Sequence, residues 1–333
     1  MKKYNIAVVG ATGMVGTKFL QVLSEKNLPV ENYYLFASAK SAGKEIDFMG
    51  KKHTVIELTR ENIAAHKVDI ALFSAGGGTS RDFAPIFVEN GAIVVDNSSQ
   101  WRMDKNVPLV VPEVNPEDVL WNKGIISNPN CSTIQAMVAL KPLHDKYIIK
   151  RIIFSTYQAV SGAGVQGYAD LKNGINGEPP KKFNYPIFGN CLPQIDTFCD
   201  NGYTKEEMKM ISETRKILHA PDMRITATTV RVPVFHSHCE SINLEFEKPC
   251  TLEGVFDCLK NAPGLVVEDD IKNSKYPMPI YAEDTDPVYV GRIRIDESIE
   301  SGVNIWCVAD NIRKGAATNA VQIAEIIINQ NLI

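Results

Sequence analysis

Short apolar runs alternate with amphipathic segments over the first part of the 333-residue chain. An apolar run over 5–9 precedes apolar residues at helical spacing, namely Val15, Phe19, Leu20, Val22 and Leu23. Similar apolar runs occupy 33–37, 68–73 and 92–95, with a helical pattern around 83–89. This alternation predicts an α/β fold with a parallel sheet, wound as in dinucleotide-binding domains of the Rossmann type.

The pattern changes past residue 150, where the predicted strands become longer and rich in Thr, Val and Ile. They cover 152–160, 225–234, 241–246, 288–295 and 304–308. Polar residues alternate with apolar ones, which predicts a mixed, mainly antiparallel sheet with one covered face. Helices are predicted near 205–218 and 252–260, and an amphipathic one over 313–329. The intervening segment 174–197 is heavy in Gly, Pro and Asn, and we expect an ordered excursion or an interface arm.

Composition narrows the class of protein. Hydrophobic content of 44% and charged content of 22% are typical of a soluble globular protein, and 333 residues suit two domains. A net charge of -4 disfavours nucleic acid and anionic membranes as partners. The seven cysteines are scattered without a C-x-x-C pair, which predicts neither disulfides nor zinc. With no signal-like or membrane-spanning run, we expect a cytoplasmic protein.

Three glycines, Gly10, Gly13 and Gly16, lie between the first strand and the first helix. Such glycines let the backbone approach a pyrophosphate at the helix N-terminus. The second strand ends in Ala37-Ser38-Ala39-Lys40-Ser41, where an NAD site would place an acidic residue. Hydroxyls and a cation there favour NADP, although a solvated basic turn that binds no cofactor would have the same sequence pattern. Ser74, Ala75 and Gly76 follow another predicted strand, so we expect them beside the nicotinamide ribose.

The segment Ser127 to Thr133 places Cys131 between turn-forming residues and an apolar helical run. We expect a helix to begin near Cys131, because Pro129 and its neighbours break the preceding segment. Helix N-termini favour a thiolate, and their first amides could stabilise an oxyanion. The pattern therefore indicates a covalent acyl-cysteine site, although an ordinary capped helix has the same signature.

Together, the ordered motifs resemble those of aspartate-β-semialdehyde dehydrogenases over essentially the whole chain. They are GATGMVG at 10–16, SAGK at 41–44, SNPNCST at 127–133, QAVSGAG at 158–164, ETRKIL at 213–218, RVPVFHSH at 231–238 and DNIRKGAATNAVQIAE at 310–325. The resemblance implies a Rossmann-type domain over 1–128 plus 313–333, where the C-terminal helix returns, and a catalytic and dimerisation domain over 129–312. It also implies a homodimer or homotetramer.

By the same resemblance, NADPH reduces L-aspartyl-4-phosphate to L-aspartate-4-semialdehyde and phosphate, on the route to lysine, threonine and methionine. Cys131 matches the nucleophile and His238 the acid/base. Substrate contacts are implied for Gln158, Glu213 and Arg231, and phosphate contacts for Arg102 and Lys216. The cofactor residues would be Gly10, Thr12, Gly13, Met14, Val15, Gly16, Ser38, Lys40, Ser41, Ala42, Ser74, Ala75, Gly76, Ser161, Gly162 and Asn311.

Each of these residues also has an ordinary structural interpretation. His236 and His238 could share a strand face and a metal, but no third ligand is evident, and we expect none. Arg231 could form an internal salt bridge with a glutamate such as Glu240. The pair Glu213 and Lys216, at i and i+3, could be a surface ion pair.

Rival functions use overlapping motifs. N-acetylglutamyl-phosphate reductase shares the glycine loop and the cysteine, but its acylated substrate needs no anionic partner such as Glu213. Glyceraldehyde-3-phosphate dehydrogenase would place an acid after the second strand. A cofactor-binding scaffold would not need Cys131, His238 and Arg231 together.

Overall fold

A computed structural model describes residues 2–333 of the chain. Backbone contacts divide the chain into two compact units, Met1–Pro129 with Ala316–Ile333, and Asn130–Gly315. No helix in the described part of the chain is both long and apolar enough to cross a membrane.

The first unit is built on a six-stranded parallel sheet. Its elements are β1 (Tyr4–Val9), α1 (Met14–Glu25), β2 (Val30–Ala37), β3 (Glu45–Phe48), β4 (Lys51–Thr54), β5 (Ile56–Glu57), α2 (Arg60–Ala64), β6 (Ile70–Phe73), α3 (Gly77–Glu89), β7 (Ile93–Asp96) and β8 (Ile125–Ser127). A 3-10 helix covers Pro116–Trp121. The strand order β5-β2-β1-β6-β7-β8 reverses direction at β1, and ligands of such sheets bind at this point. The predicted parallel sheet is confirmed; the β3–β4 hairpin and β8 were not predicted.

The second unit is built on a six-stranded mixed sheet. It contains α4 (Cys131–Tyr147), β9 (Ile149–Gln158), α5 (Gly164–Gly174), α6 (Lys205–Ile217), β10 (Arg224–Arg231), β11 (His238–Phe246), α7 (Leu252–Lys260), β12 (Leu265–Val267), α8 (Pro279–Ala282), β13 (Val288–Ile295) and β14 (Gly302–Ala309). Short 3-10 helices cover Val160–Ala163 and Ile271–Asn273. The strand order is β10-β9-β11-β14-β13-β12, parallel only at its two ends. The predicted mixed sheet is confirmed.

The C-terminal segment belongs to the first unit. A π-helical stretch, Arg313–Thr318, leads into α9 (Asn319–Asn329). Apolar residues of this segment, from Ala317 to Ile328, are buried in the same cluster as Ile6 and Val8 of β1 and Phe19 of α1. The helix therefore completes the core of the first unit, as the resemblance implied.

The segment 174–197 is largely irregular and is anchored within the second unit. Ile187 and Leu192 are buried with Val160 and Leu171. The Asp170 carboxylate of α5 accepts hydrogen bonds from the backbone N–H groups of Lys181, Lys182 and Phe183. These contacts explain why the segment is ordered; its role in a subunit interface stays a prediction.

Candidate active site

Two glycines of the loop after β1 are required by backbone crowding. Gly10 has a φ of 85°, and a Cβ there would lie 2.3 Å from the carbonyl oxygen of Ser74. A Cβ at Gly16 would lie 2.0 Å from the carbonyl oxygen of Gly10. Gly13 precedes α1 and makes no side-chain cap, so no capping side chain covers the first amides of the helix. Such an N-terminus fits the pyrophosphate of a dinucleotide.

A pocket of about 450 Å³ adjoins this loop. Its lining includes Gly10, Thr12 and Gly13 of the loop, Ser38 at the end of β2, and Ser74 and Ala75 after β6. The Thr12 hydroxyl donates to the Ser41 hydroxyl at 3.3 Å, while Lys40 is exposed on the same turn. The structure therefore gathers at one pocket the loop and hydroxyl residues predicted from three distant segments.

Arg102 is a buried arginine of the first unit. Its guanidinium donates to the backbone carbonyls of Asn128 at 3.0 Å and Asn97 at 2.7 Å. The neighbouring Trp101 donates its indole N–H to Ser80. Arg102 is thus fixed by backbone acceptors, one of which lies in the segment that leads to the nucleophile.

Cys131 is the first residue of α4 and is half-buried. The side chain of Asn130 caps the helix by accepting hydrogen bonds from the N–H groups of Ser132 and Thr133. The expectation that the first amides are available to an oxyanion is therefore wrong for these two, because an N-cap side chain already occupies them. A Cβ at Gly315 would lie 2.8 Å from the Cβ of Cys131, so glycine is required beside the nucleophile.

His238 begins β11 and is fully buried. The backbone N–H of Ala159 donates to its Nδ1 at 3.0 Å. Burial, and then the positive charge of Arg231, lower the pKa of His238 well below its usual value. A neutral ring whose Nδ1 accepts must carry its proton on Nε2. Nε2 has no hydrogen-bond partner among residues 2–333, so the ring presents a donor.

Arg231, at the end of β10, lies beside His238. A Cβ at Gly162 would lie 2.9 Å from Nη1 of Arg231 and 3.2 Å from Nε2 of His238. Arg231 Nη1 donates to the carbonyl of Ala159 at 2.6 Å. Gly162, expected to contact the cofactor, therefore also makes room for two buried functional side chains.

The salt bridge considered between Arg231 and Glu240 is absent from the described residues. Burial, and then the charge of Glu206, raise the pKa of Glu240 well above its usual value, which leaves it a neutral acid. Burial lowers the pKa of Arg231, while the charges of Glu206 and Cys131 act in the opposite sense. The carboxylate whose charge acts most strongly on the pKa of Arg231 is therefore Glu206, which was not among the residues predicted from the sequence.

The helix α6 contributes carboxylates to this site. Glu213 is only 1% exposed, and its Oε2 accepts from the backbone N–H of Asn130 at 2.7 Å. Glu213 is therefore a buried carboxylate rather than a surface one. Lys216 is half-buried on the same helix. Glu206 lies seven residues earlier, so it occupies the same face.

Gln158 and Glu206 are hydrogen-bonded to each other in this buried region. The Gln158 amide nitrogen donates to Glu206 Oε1 at 3.3 Å and to the Thr156 hydroxyl at 3.3 Å. The Asn130 amide nitrogen donates to the same Oε1 at 2.9 Å. Glu206 was not predicted from the sequence. The one signal for it was the seven-residue spacing to Glu213, which places both side chains on one face of α6.

Asn311 and Ser161 form a second polar group in this unit. Asn311 Nδ2 donates to the Ser161 hydroxyl at 3.1 Å, and Asn311 Oδ1 accepts from the N–H of Ser237 at 3.0 Å. The structure thus brings together two of the predicted cofactor residues from segments 150 residues apart in the sequence, beside the segment that carries His238.

The metal alternative has no support in the geometry. His236 lies 3.7 Å from a Glu283 carboxylate oxygen, away from a third ligand, whereas His238 bonds through Nδ1 to Ala159. Within residues 2–333 there is no group of three or more His, Cys, Asp or Glu side chains that could hold a metal ion. Of the remaining cysteines, Cys239 and Cys307 are buried and Cys191 is exposed.

Family models match both units of the chain. Residues 5–121 match the domain described as semialdehyde dehydrogenase, NAD binding domain. Residues 140–314 match the domain described as semialdehyde dehydrogenase, dimerisation domain. The chain belongs to the semialdehyde dehydrogenase family.

Relatives within this family are similar over their full length. The aspartate-semialdehyde dehydrogenase of Aquifex aeolicus is 57% identical, with 99% of each chain covered. The crystal structure of aspartate semialdehyde dehydrogenase II from Vibrio cholerae has a TM-score of 0.94 at 47% identity, covering 98% of this chain and 99% of that one. The enzyme from Candida albicans, solved with NADP, has a TM-score of 0.79 at 28% identity, with both chains fully covered.

Proposed function

We propose that this protein is an aspartate-semialdehyde dehydrogenase, which reduces L-aspartyl-4-phosphate to L-aspartate-4-semialdehyde and phosphate with NADPH. The observation that carries the proposal is the set of functional residues in the second unit of a semialdehyde dehydrogenase chain. Cys131 is the first residue of α4, and the side chains of His238, Arg231 and Gln158 are buried in the same unit. The full-length relatives named as aspartate-semialdehyde dehydrogenases support the choice of substrate.

The covalent step takes place at the sulfur of Cys131. Its thiolate attacks the acyl carbon of aspartyl phosphate, the carbon–oxygen bond to phosphate breaks, and a thioester forms as phosphate leaves. When bound, NADPH supplies the hydride that reduces the acyl group. The resulting thiohemiacetal then expels the thiolate of Cys131 and releases the aldehyde.

His238 assists at the oxygen of the acyl group. With Nδ1 held by the Ala159 N–H, the neutral ring offers Nε2–H, which stabilises negative charge on that oxygen by a hydrogen bond. Taking a proton from Cys131 through Nε2, the predicted base role, requires the other tautomer and the loss of the Ala159 hydrogen bond. The resting geometry therefore favours His238 as a donor, with proton transfer following movement of the ring.

Recognition of the amino acid rests on buried charges of the second unit. Arg231 is a buried guanidinium without a carboxylate ion pair among residues 2–333, which suits the substrate α-carboxylate. Glu213 is a buried anion for the ammonium group. Gln158 orients the acyl group, and Arg102 and Lys216 bind phosphate. An N-acylated substrate has no ammonium group to pair with Glu213, which favours the free amino acid.

The cofactor residues fit NADP. The uncapped N-terminus of α1 receives the pyrophosphate, and the turn with Ser38, Lys40 and Ser41 receives the 2′-phosphate. The Candida albicans relative solved with NADP supports this choice. Ser161, Gly162 and Asn311 are the proposed contacts from the second unit.

We also propose that the protein acts as a homodimer assembled through the second unit, with a tetramer as the alternative. The match of residues 140–314 to a dimerisation domain supports oligomerisation. Tyr157, on the sheet of this unit, is 40% exposed. Its ring centroid lies 5.6 Å from that of Trp306. The mass of the purified protein in solution decides between two and four subunits.

A steady-state assay tests the function. We expect aspartate semialdehyde and NADP to yield NADPH continuously only when phosphate is present. We expect N-acetylglutamate semialdehyde to be a poor substrate. Continuous NADPH formation that is independent of phosphate, or faster with the N-acylated aldehyde, would contradict the proposal.

A further inference from the structure

We propose that Glu206 is a positioning residue that fixes the amide orientation of Gln158 and Asn130 around the nucleophile. This inference rests on the proposed role of Gln158 in orienting the acyl group. Glu206 itself lies on the first turn of α6 and is 5% exposed.

The hydrogen-bond chemistry of a carboxylate restricts the groups around Glu206. Ionised glutamate only accepts, so every neighbour must turn a donor toward it. Oε1 accepts from the amide nitrogens of both Asn130 and Gln158, at 2.9 and 3.3 Å. Their carbonyl oxygens must therefore point away, and Asn130 Oδ1 indeed caps α4 immediately after the nucleophile.

Glu206 stays ionised although it is buried. Burial alone would raise its pKa, but the charge and hydrogen bond of Lys209, the hydrogen bond of Asn130 and the charge of Arg231 together lower the pKa below its usual value. Lys209 Nζ lies 3.1 Å from Glu206 Oε2 and 3.1 Å from an Asp196 carboxylate oxygen. Lys209 therefore holds the carboxylate from the side opposite the two amides.

Replacing the carboxylate with an amide creates a conflict between its two sides. In Glu206→Gln, an oxygen facing Asn130 and Gln158 would put the new NH2 group against the Lys209 ammonium. Turning the oxygen toward Lys209 instead aims the NH2 group at the two amide donors, and Gln158 must flip. Replacing Lys209 with methionine removes this conflict, so the double variant Glu206→Gln/Lys209→Met regains the original orientation.

The experiment compares kcat, KM and Tm of the wild type, Glu206→Gln, Lys209→Met and the double variant. We expect Glu206→Gln to lower kcat by about 100-fold, the cost of a misplaced group, with little change in KM for phosphate. We expect the double variant to recover at least about tenfold of that loss, which simple destabilisation would not do. Asp196→Asn, which removes only the outer partner of Lys209, is the matched control and should retain wild-type kcat.

A second readout does not depend on turnover. The side-chain amide resonances of Gln158, identified by their absence in Gln158→Leu, should shift in Glu206→Gln and return toward the wild-type position in the double variant. A double variant no more active than Glu206→Gln, or Gln158 resonances unchanged in Glu206→Gln, would overturn the proposal. If the wild type lacks phosphate-dependent turnover, the enzyme assignment fails, while the resonances still test the role of Glu206.

Discussion

The glycine loop of the first unit and the cysteine centre of the second unit work by different means. The loop offers backbone: Gly10 and Gly16 are required because backbone atoms lie about 2 Å from where a Cβ would stand. The cysteine centre offers buried side chains whose charges and amide orientations are set by neighbours such as Glu206 and Ala159. The residues of the loop are thus constrained by the space available to them, and those of the cysteine centre by electrostatics and hydrogen bonding.

This contrast predicts that each region can be damaged without damage to the other. A larger side chain in the loop should abolish cofactor binding while the thiol remains reactive. An uncharged or truncated side chain in the centre should abolish turnover while the cofactor still binds.

Cys131→Ala should have the largest effect. Removal of the nucleophile should lower kcat at least roughly 10⁴-fold, because no other group forms the thioester. NADPH affinity should remain within about twofold of the wild type, since the loop is untouched. Cofactor fluorescence titration beside the assay checks both halves, and a parallel loss of NADPH binding would break the comparison.

Gly16→Ala tests the loop. Its Cβ would lie 2.0 Å from the Gly10 carbonyl oxygen, so α1 must shift away from the turn. We expect a loss of about 2 kcal/mol in the free energy of unfolding and at least about tenfold weaker NADPH binding. The rate of Cys131 alkylation by iodoacetamide should stay unchanged. Gly43→Ala, at a glycine with open space around it but a φ of 79°, separates backbone strain from crowding.

Lys40→Ala addresses the choice between NADP and NAD. Loss of one charge-assisted contact to the 2′-phosphate should weaken NADPH binding about tenfold and leave NADH binding unchanged. Isothermal titration with both cofactors measures the ratio. An equal loss for both cofactors would mean that Lys40 does not contact the 2′-phosphate.

Glu240→Gln should have the smallest effect on activity, because the carboxyl is already neutral in the folded protein. Its pKa is raised on folding, so the folded state retains a proton that the unfolded state loses above pH ~4.5. The stability that Glu240 contributes to the wild type therefore falls as pH rises from ~4.5 toward the raised pKa of the folded state. As pH rises, the free energy of unfolding of Glu240→Gln should increase relative to that of the wild type by up to about 1.4 kcal/mol per pH unit. Parallel stability curves from pH 5 to 8 would contradict a neutral Glu240.

The parts of the molecule that sequence reasoning found are those encoded locally. The glycine loop, the helix at Cys131 and the alternating strands each lie within a short segment, where spacing and turn residues carry the signal. The short β8 was missed because three residues do not establish a period.

The remaining features depend on contacts between distant segments. The Ala159 N–H that sets the His238 tautomer, and the Glu206 carboxylate beneath Gln158, follow from strand register and from the packing of α6 on α4. Asn130 was the exception, because asparagine is a favoured N-cap and its occupation of the first amides was predictable. The role of each family residue came from the resemblance, since spacing alone left a salt bridge and a surface ion pair open.

The central claim is a thioester at Cys131, and a single turnover without phosphate tests it most directly. Mixing the protein with aspartate semialdehyde and NADP should give a burst of one equivalent of NADPH per site, with an aspartyl adduct on the peptide that contains Cys131. Adding phosphate should remove the adduct and start continuous turnover. The absence of a burst, or an adduct on any other residue, would contradict the account.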